Sequence, residues 1–292
     1  MKSTQQQVNV TMNHSQQLLY KAIKISGYAL LVFFAFLWLF PFFIVILTSL
    51  KSQGDVISRG VFPLPQEIML ENFIKAWHTG QFSVFYRNSL LISLVKVPAG
   101  IFVASMAAYP LAKYTFRLKD SLFLFFLAGI GIPIHVTLLP LSILLKNIGL
   151  LDTLAGLFFP YIAFGLPFQI MVCRGFFRGI PTELVDSARI DGCTEVRIYW
   201  NIILPLAKPA IAALFIIDFL ATWNEFLMAL IFIHSDEWKT IPLGLMLFQG
   251  QHSSSYPLIN AGVLLSILPV LIIYLLLQQY FVSGITAGAL KG

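Results

Sequence analysis

Long uncharged apolar runs alternate with short polar segments along most of the chain. The first run, residues 25–50, contains no charged residue and is about twice as long as the apolar core of a secretion signal. Further apolar runs follow at about residues 88–112, 121–145, 154–173, 209–233 and 258–282. About 20 apolar residues suffice for a helix to cross a bilayer. The pattern therefore predicts an all-α integral membrane protein with six transmembrane helices.

Composition and charge support a membrane location and indicate which loops face the cytoplasm. Hydrophobic residues make up 58% and charged residues 11% of the sequence, whereas about a quarter of residues in soluble domains are charged. Of the 19 lysine and arginine residues, 12 fall in residues 1–24, 113–119, 174–208 and 284–292. Because basic residues collect on the cytoplasmic side, both termini are expected in the cytoplasm. The net charge of +6 then reflects topology, and no nucleic-acid partner is expected.

This topology predicts residues 1–24 as a cytoplasmic N-terminal tail and residues 25–292 as one transmembrane domain. The longest polar interruption in its second half is a loop at residues 177–208, which we call the elbow. Pro181 suits the first turn of a helix, where its missing N–H is not needed. Glu183 and Asp186 then lie near the positive end of that helix dipole. The elbow therefore begins with a short predicted helix.

A turn and a second short helix are predicted in the rest of the elbow. Asp191-Gly192 supplies the turn, because glycine adopts positive φ without steric cost. Thr194 suits the N-cap of the second helix, and Pro205 is expected to end it. One side of this second helix is predicted to carry Val196, Tyr199 and Ile203. A compact helix–turn–helix between two spans is suited to contact with another protein.

Three separated motifs resemble one family, the permease subunits of ABC importers. In the elbow, Asp186-Ser187-Ala188, Asp191-Gly192 and Leu204-Pro205 resemble the EAA loop, with Asp in place of Glu and Ser in place of the first Ala. Residues 222–227, TWNEFL, and the ending at residues 281–292 resemble the carbohydrate-uptake subgroup, which is similar to the smaller permease subunit of maltose transporters. The resemblance covers nearly everything from residue 28 onward.

The resemblance implies a type I ABC-importer permease fold, with cytoplasmic coupling (EAA) helices in the elbow. It implies a second homologous permease, two ATPase subunits and an extracytoplasmic solute-binding protein, in the cytoplasmic membrane of a bacterium or archaeon. The implied ATPase-coupling residues are Glu183, Leu184, Asp186, Ser187, Ala188, Asp191 and Gly192. Of these, Glu183 and Asp186 would meet basic groups on the ATPase, while Leu184 and Ala188, together with Ile190, would pack. The tail residues implied at the ATPase interface are Gly288, Lys291 and Gly292.

No nucleotide-binding or metal-binding motif occurs in the sequence. A G-x-x-x-x-G-K-[ST] phosphate loop is absent, and His, Cys and carboxylate residues do not cluster at metal-ligand spacing. Cys173 and Cys193 are interpreted as packing residues. The chain is therefore expected to be a transport subunit without enzyme activity or cofactor, while its partner ATPase binds ATP and Mg²⁺.

Polar residues within the predicted spans are candidates for contact with a carbohydrate. Asp218 and Glu225 are seven residues apart, about two helical turns, and are expected on one face of the fifth span. Trp223 and Asn224 add an aromatic ring and an amide, groups that bind sugars. The same polar residues alternatively hold helices together through hydrogen bonds. Kinks are predicted in the third span, which contains Gly129, Gly131, Pro133 and Pro140. His135, beside the predicted kink, is either a packing group or part of the path.

Two further assignments concern Lys96 and a loop on the outer side. Lys96 is expected near the outer end of the second span, from where its side chain would reach the interface. The resemblance also relates one polar loop to a loop that enters the cleft of the binding protein. The residues of this loop are Gln249, Gly250, Gln251 and His252.

Other functions are open at this stage. A permease for a glycerophosphate would need cationic groups along its pore, and Lys96 is the one basic residue in a predicted span. A proton-coupled secondary transporter would use Asp218, Glu225 and His135 as a relay but would not need the elbow. A membrane-embedded enzyme would need clustered acids, and the acids here are dispersed. The sequence favours ATP-driven import of an oligosaccharide or disaccharide.

Overall fold

The structure, a computed structural model, describes residues 14–248 and 255–289, which form helices joined by loops. The helices are α1 (His14–Ser49), α2 (Gln53–Arg59), α3 (Glu71–Thr79), α4 (Phe82–Lys113), α5 (Lys119–Ala128), α6 (Ile134–Asn147), α7 (Leu154–Arg178), α8 (Thr182–Ile190), α9 (Glu195–Leu206), α10 (Lys208–Trp223), α11 (Leu227–Phe232), α12 (Ile241–Gly244) and α13 (Tyr256–Ala289). The described part contains no strand. The all-helical prediction is therefore confirmed.

Several of these helices are long and apolar enough to cross a membrane. Among the described residues, α1, α4, α7 and α13 pass this test singly. Two bent pairs pass it together, α5 with α6 at 94° and α9 with α10 at 74°. The first bend follows Gly129–Gly131 and Pro133, which interrupt the regular backbone hydrogen bonds. The predicted kink of the third span is confirmed, and it is a complete break.

The second predicted span begins earlier than the sequence indicates. α4 starts at Phe82 rather than near residue 88, so Lys96 lies close to the middle of the helix. The Lys96 side chain is 3% exposed. The expectation that it reaches the membrane interface is therefore wrong.

The chain divides into two compact units. The first contains the described residues up to Asn72 together with Tyr256–Ala261. In this unit the fully buried ammonium of Lys51 donates hydrogen bonds to the carbonyls of Gly60 and Val61, at 2.9 and 3.1 Å. These bonds fix the loop that follows α1.

α1 is exposed along nearly its whole length. Only 6% of the residues in its most apolar stretch are buried. Large side chains such as Phe33, Leu37 and Trp38 are more than half exposed. A helix that is apolar on every side and not covered by its own chain is typical of a membrane span.

The core of the second unit lies where α4, α7 and α10 pack together. Small residues on α4, including Ala104 and Ala108, are fully buried and allow a close approach of the helices. Phe177 on α7 and Phe219 on α10 are also fully buried. The residues of the candidate functional site lie on this three-helix core or next to it.

Candidate functional site

α8 and α9 form a helix–turn–helix at the predicted elbow. Gly192 has φ of +78°, and the N–H of Cys193 donates to the carbonyl of Ala188 at 2.9 Å, which closes the end of α8. Thr194 accepts a hydrogen bond from the backbone N–H of Arg197 at 3.4 Å and caps α9. The predicted turn at Gly192 and the predicted cap at Thr194 are confirmed.

The helices of the elbow differ from the prediction in three places. Pro181 immediately precedes α8 instead of occupying its first turn. Val196 is exposed, whereas Tyr199 and Ile203 are buried, so these three residues do not share one side. A π turn that begins at Tyr199 widens the helix and changes which residues face inward. The helix also continues one residue beyond Pro205.

A network of charged and phenolic groups braces the elbow. The guanidinium of Arg189 donates to Asp186 at 2.9 Å and, across the turn, to Glu195 at 2.7 Å. The second carboxylate oxygen of Glu195 accepts from the Tyr109 hydroxyl at 2.7 Å. Since Tyr109 lies on α4, the network ties α8 and α9 to the three-helix core. Sequence reasoning missed Arg189 and Glu195, although their opposite charges flank the turn.

The electrostatics of the elbow affect Arg189 and the neighbouring Tyr114. The hydrogen bond to the Glu195 carboxylate raises the pKa of Arg189 further above its ordinary value. Burial, together with the same carboxylate, raises the pKa of Tyr114. At neutral pH Arg189 is therefore a cation and Tyr114 a neutral phenol.

α8 has a buried side, and two of its apolar residues are exposed. Val185 is fully buried and Ala188 is 7% exposed, whereas Leu184 is 45% and Ile190 is 87% exposed. The prediction that Ala188 packs against a partner together with Leu184 is therefore wrong, because Ala188 packs within its own chain. The other exposed members of the predicted coupling set are Glu183, Asp186, Ser187, Asp191 and Gly192.

The predicted fifth span is interrupted near its middle. α10 ends at Trp223, and the amide of Asn224 donates back to the carbonyl of Leu220 at 2.9 Å. Asp218 therefore lies in α10, while Glu225 lies in the break before α11. The prediction that these two acids share one face of a continuous helix is wrong.

Glu225 caps the short helix that follows the break. Its carboxylate accepts the backbone N–H groups of Met228 and Ala229 at 2.7 and 3.2 Å. The same carboxylate accepts a hydrogen bond from the Tyr161 hydroxyl of α7. Glu225 thereby satisfies orphan donors at the start of α11 and fixes this helix to the core.

Trp223 and Asn224 differ in accessibility. The Trp223 side chain is 2% exposed, its N–H donates to the carbonyl of Ser266 at 3.1 Å, and its ring stacks on Phe219 at 5.5 Å. Asn224, in contrast, is exposed. The ring is therefore not an open platform in this chain, and the amide is the accessible member of the pair.

Asp218 forms a buried ion pair that sequence reasoning missed. Its carboxylate accepts from the Lys96 ammonium at 2.6 Å, and the exposed fractions of the two side chains are 9% and 3%. The signal was present, since Lys96 is one isolated cation in a predicted span and needs an opposite charge. The pair explains why Lys96 does not reach the interface.

A second acid that the prediction overlooked organises the loop before α7. Asp152, at φ of +61°, accepts from the backbone N–H groups of His234 and Ser235 at 2.8 and 3.0 Å. Its own N–H donates to the carbonyl of Phe232 at 2.8 Å, so it holds the end of α11. Burial alone would raise the pKa of Asp152, but the hydrogen bonds from Ser235 and His234 outweigh it and lower that pKa.

The remaining predicted residues are not joined to this site. His135 is exposed in the first turn of α6, and no described hydrogen bond connects it to Asp218 or Glu225. Gly288 lies in the last turn of α13. Residues outside the described ranges are Gln249, Gly250, Gln251, His252, Lys291 and Gly292. Within the described ranges, no group of three His, Cys, Asp or Glu residues is placed to hold a metal ion.

Comparison with protein families and curated sequences gives consistent matches. Residues 96–286 match the family described as binding-protein-dependent transport system inner membrane component. The arabinooligosaccharides transport system permease protein AraQ of Bacillus subtilis is 34% identical, over 96% of this chain and 100% of the relative. The melibiose/raffinose/stachyose import permease protein MelC of the same species is 33% identical, over 86% and 91%.

Solved structures share the fold. A chain of a bacterial ABC transporter involved in the import of the acidic polysaccharide alginate superposes with a TM-score of 0.78. It is 24% identical, and the match covers 92% of this chain and 99% of that chain. The bacterial alginate ABC transporter in complex with an alginate pentasaccharide-bound periplasmic protein contains a chain that superposes with a TM-score of 0.66 at 17% identity, over 88% and 95%.

Proposed function

Because this chain belongs to the family of binding-protein-dependent transport system inner membrane components, we propose that it is a permease subunit of an ATP-driven importer of oligosaccharides or disaccharides. The observation that carries the proposal is the elbow, which turns at Gly192 and exposes the apolar side chains of Leu184 and Ile190. Apolar side chains exposed on a short helix are suited to docking on another protein. The docking partner in this proposal is an ATPase subunit.

The relatives support a carbohydrate as the substrate. Their names specify arabinooligosaccharides in one case and melibiose, raffinose and stachyose in another. Asn224, exposed at the break between α10 and α11, offers an amide with both donor and acceptor groups for sugar hydroxyls. In this proposal Asn224 lines the path, while Trp223 and Glu225 keep the break in shape.

The topology of the proposal has six spans and both termini in the cytoplasm. The four single helices and the two bent pairs are sufficient for six crossings. The concentration of basic residues in residues 174–208 supports a cytoplasmic elbow. The protein is then a multi-pass component of a bacterial or archaeal cytoplasmic membrane.

Coupling to the ATPase follows from how the elbow is braced. α8 is nine residues long, which is about 14 Å, and a helix this short is marginal without packing. Its buried face packs on the chain and its exposed face would seat on the ATPase. Arg189 and Glu195 hold the turn rigid, so a push on α8 passes into α9 and on to α10. No residue of this chain needs to bind ATP or Mg²⁺, which belong to the partner.

The assembly in this proposal contains a second homologous permease, two ATPase subunits and an extracytoplasmic solute-binding protein. The loop at residues 249–252 is assigned to contact with the binding protein and the tail at residues 288–292 to the ATPase interface. The support for these two assignments is the motif resemblance.

The alternative functions have weaker support. Lys96 is neutralised by Asp218 and buried, so it is not a cationic group along a pore for a glycerophosphate. A proton relay would connect Asp218, Glu225 and His135. Asp218 instead pairs with Lys96, Glu225 caps α11, and His135 forms no described hydrogen bond with either acid.

Purification and uptake measurements test the proposal. We expect the tagged chain, extracted in mild detergent, to bring down an ATPase, and Ile190→Asp to lower the recovered ATPase at least about tenfold because it puts a charge in the docking surface. Ile57→Asp is the matched control, since Ile57 is 73% exposed on α2, far from the elbow in sequence. A strain that lacks this gene should lose uptake of labelled raffinose or arabinotriose. A chain that purifies alone and moves solute into liposomes without ATP would refute the proposal.

A further inference from the structure

The three helices of the core meet at a buried polar group, near the middle of α4 and α7 and in the C-terminal part of α10. We call Lys96 of α4, Gln169 of α7, and Asp218 and Thr222 of α10 the polar junction. The Lys96 ammonium donates to Asp218 at 2.6 Å and to the Thr222 hydroxyl at 3.2 Å. All four residues are buried. The proposed function assigns the junction no role.

Gln169 lies in the junction beside Asp218, and its amide oxygen has no partner among the described residues. The residue is 1% exposed, and its amide faces the Asp218 carboxylate as a hydrogen-bond donor. No atom of the amide lies in full hydrogen-bond geometry with a described group, and the same holds for the second carboxylate oxygen of Asp218. Unused polar atoms of this kind are costly in a buried site, so their retention calls for an explanation.

Two glycines make room for the Gln169 amide. A Cβ atom at Gly165 would lie 3.2 Å from the Gln169 amide nitrogen, 3.4 Å from the Lys96 ammonium and 3.5 Å from Asp218. A Cβ atom at Gly100 would lie 3.1 Å from the Gln169 amide oxygen. The Lys96 ammonium and the Gln169 amide nitrogen thus face one point, while the amide oxygen, the atom that can accept from an ammonium, faces Gly100. A rotation of the amide would present this oxygen to Lys96.

Holding the three helices together does not by itself require a buried ion pair. Burying two charges costs several kcal/mol per ion, and well-packed apolar residues of similar volume often stabilise a protein equally well or better. Ionisable residues inside membrane segments are usually retained for function. The junction therefore has the features of a contact that changes during the working cycle.

α10 is the helix that has to move if the proposed function holds. It follows the elbow directly, because α9 ends at Leu206 and α10 begins at Lys208. Asp218 and Thr222 are one helical turn apart on it and both contact Lys96. A displacement of α10 along α4 would draw Asp218 away from the ammonium.

We propose that Lys96 is a positioning residue for α10 that exchanges partners, holding Asp218 and Thr222 in the state described here and the amide of Gln169 in the other state. This inference rests on the proposed function only in requiring that α10 moves when the ATPase closes. Gln169 then keeps the ammonium satisfied while the ion pair is open. Gly100 and Gly165 provide the space in which the exchange takes place.

Hydrogen exchange on the complex purified with its ATPase tests the proposal without a known sugar. The probe is Mg-ATP with vanadate, and the readout is amide exchange in residues 208–223 with and without it. Gln169→Leu keeps the ion pair and removes the alternative partner. We expect its complex to assemble and to resist heat at least as well as the wild type, while the ratio of the two states shifts by about 2- to 30-fold. Gln278→Leu, the same change at an exposed position of α13, is the control and should behave as the wild type.

A second variant separates positioning from support. Lys96→Met with Asp218→Leu replaces the ion pair by apolar residues and leaves no buried charge unpaired. If the junction only supports the fold, this variant will show the wild-type exchange response. We expect its response to be reduced, and a wild-type response in both variants would overturn the proposal. If the wild-type complex itself shows no response to ATP and vanadate, the proposed function fails first.

Discussion

Replacement of Gly192 by valine should uncouple ATP hydrolysis from transport. Gly192 has φ of +78°, and a Cβ atom built there meets no other atom within 4 Å. The added Cβ atom therefore meets no other part of the chain. The main effect acts through the backbone, because side chains with a Cβ atom, and β-branched ones above all, disfavour positive φ.

The magnitude follows from that backbone cost. A left-handed conformation costs an L-residue about 1–2 kcal/mol. A cost of this size lowers the fraction of elbows that keep the native turn by about 5- to 30-fold relative to competing turns. Asparagine tolerates positive φ better, so Gly192→Asn should have a smaller effect than Gly192→Val.

The assay is sugar uptake per ATP hydrolysed, measured in vesicles that contain the complete importer. Gly149→Val provides the matched control, because Gly149 has φ of +71° and equally open surroundings but lies in the loop between α6 and α7. We expect Gly192→Val to lower the ratio and Gly149→Val to leave it unchanged at equal amounts of complex.

Two results would refute this reasoning. Normal uptake per ATP in Gly192→Val would show that the angle of the turn does not matter for coupling. An equal loss in Gly149→Val would show that backbone strain anywhere in the chain lowers transport. Either result would also remove the main support for the elbow as the coupling element.

Three further predictions concern other contacts of the site. Uptake driven by ATP should fall in Arg189→Glu and in Glu195→Arg, and the double variant should recover part of it. In a double-mutant cycle, the interaction energy between these two half-exposed side chains should be about 0.5–1 kcal/mol. Glu225→Gln should lower thermal stability by about 0.5–2 kcal/mol through the weakened cap of α11, whereas Tyr161→Phe should lower it less; equal unfolding midpoints for Glu225→Gln and the wild type would contradict this. The pKa of Asp152 is lowered in the folded protein, so the stabilising effect of its carboxylate is complete above the ordinary pKa of 3.8 and is lost as the pH falls through the lower folded value. Asp152→Asn should therefore destabilise the protein at pH 7. In thermal unfolding below the folded pKa, the variant and the wild type should be equally stable.

The membrane-spanning character and the elbow could be predicted from local sequence. The uncharged run at residues 25–50 is long enough to identify a span without tertiary information, and α1 ends at Ser49. Gly192 and Thr194 act through their own backbone conformation and short-range hydrogen bonds, so their roles depend on neighbours in the sequence. Features that depend only on neighbours in the sequence can be predicted from the sequence alone.

Contacts between distant helices could not be placed from the same information. The interruption after Trp223 falls at the polar pair Asn224-Glu225, but the form of the break depends on a cap from Glu225 and on Tyr161 of another helix. Lys96 and Asp218 are 122 positions apart, and their pairing becomes evident only when α4 and α10 are packed together. Apolar periodicity reports the length of a span but not the register of one span against another.

The length of α1 makes the protein sensitive to bilayer thickness. The uncharged part of this helix, residues 25–49, is about 38 Å long at 1.5 Å per residue, while the hydrocarbon core of a bilayer is about 30 Å thick. The apolar part of the helix is thus longer than the hydrocarbon core and is accommodated by tilting, by bending at Pro41 or by a local thickening of the bilayer. A thinner bilayer would increase this mismatch. The lipid composition of the host membrane thus bears on how α1, which is exposed along nearly its whole length, is accommodated.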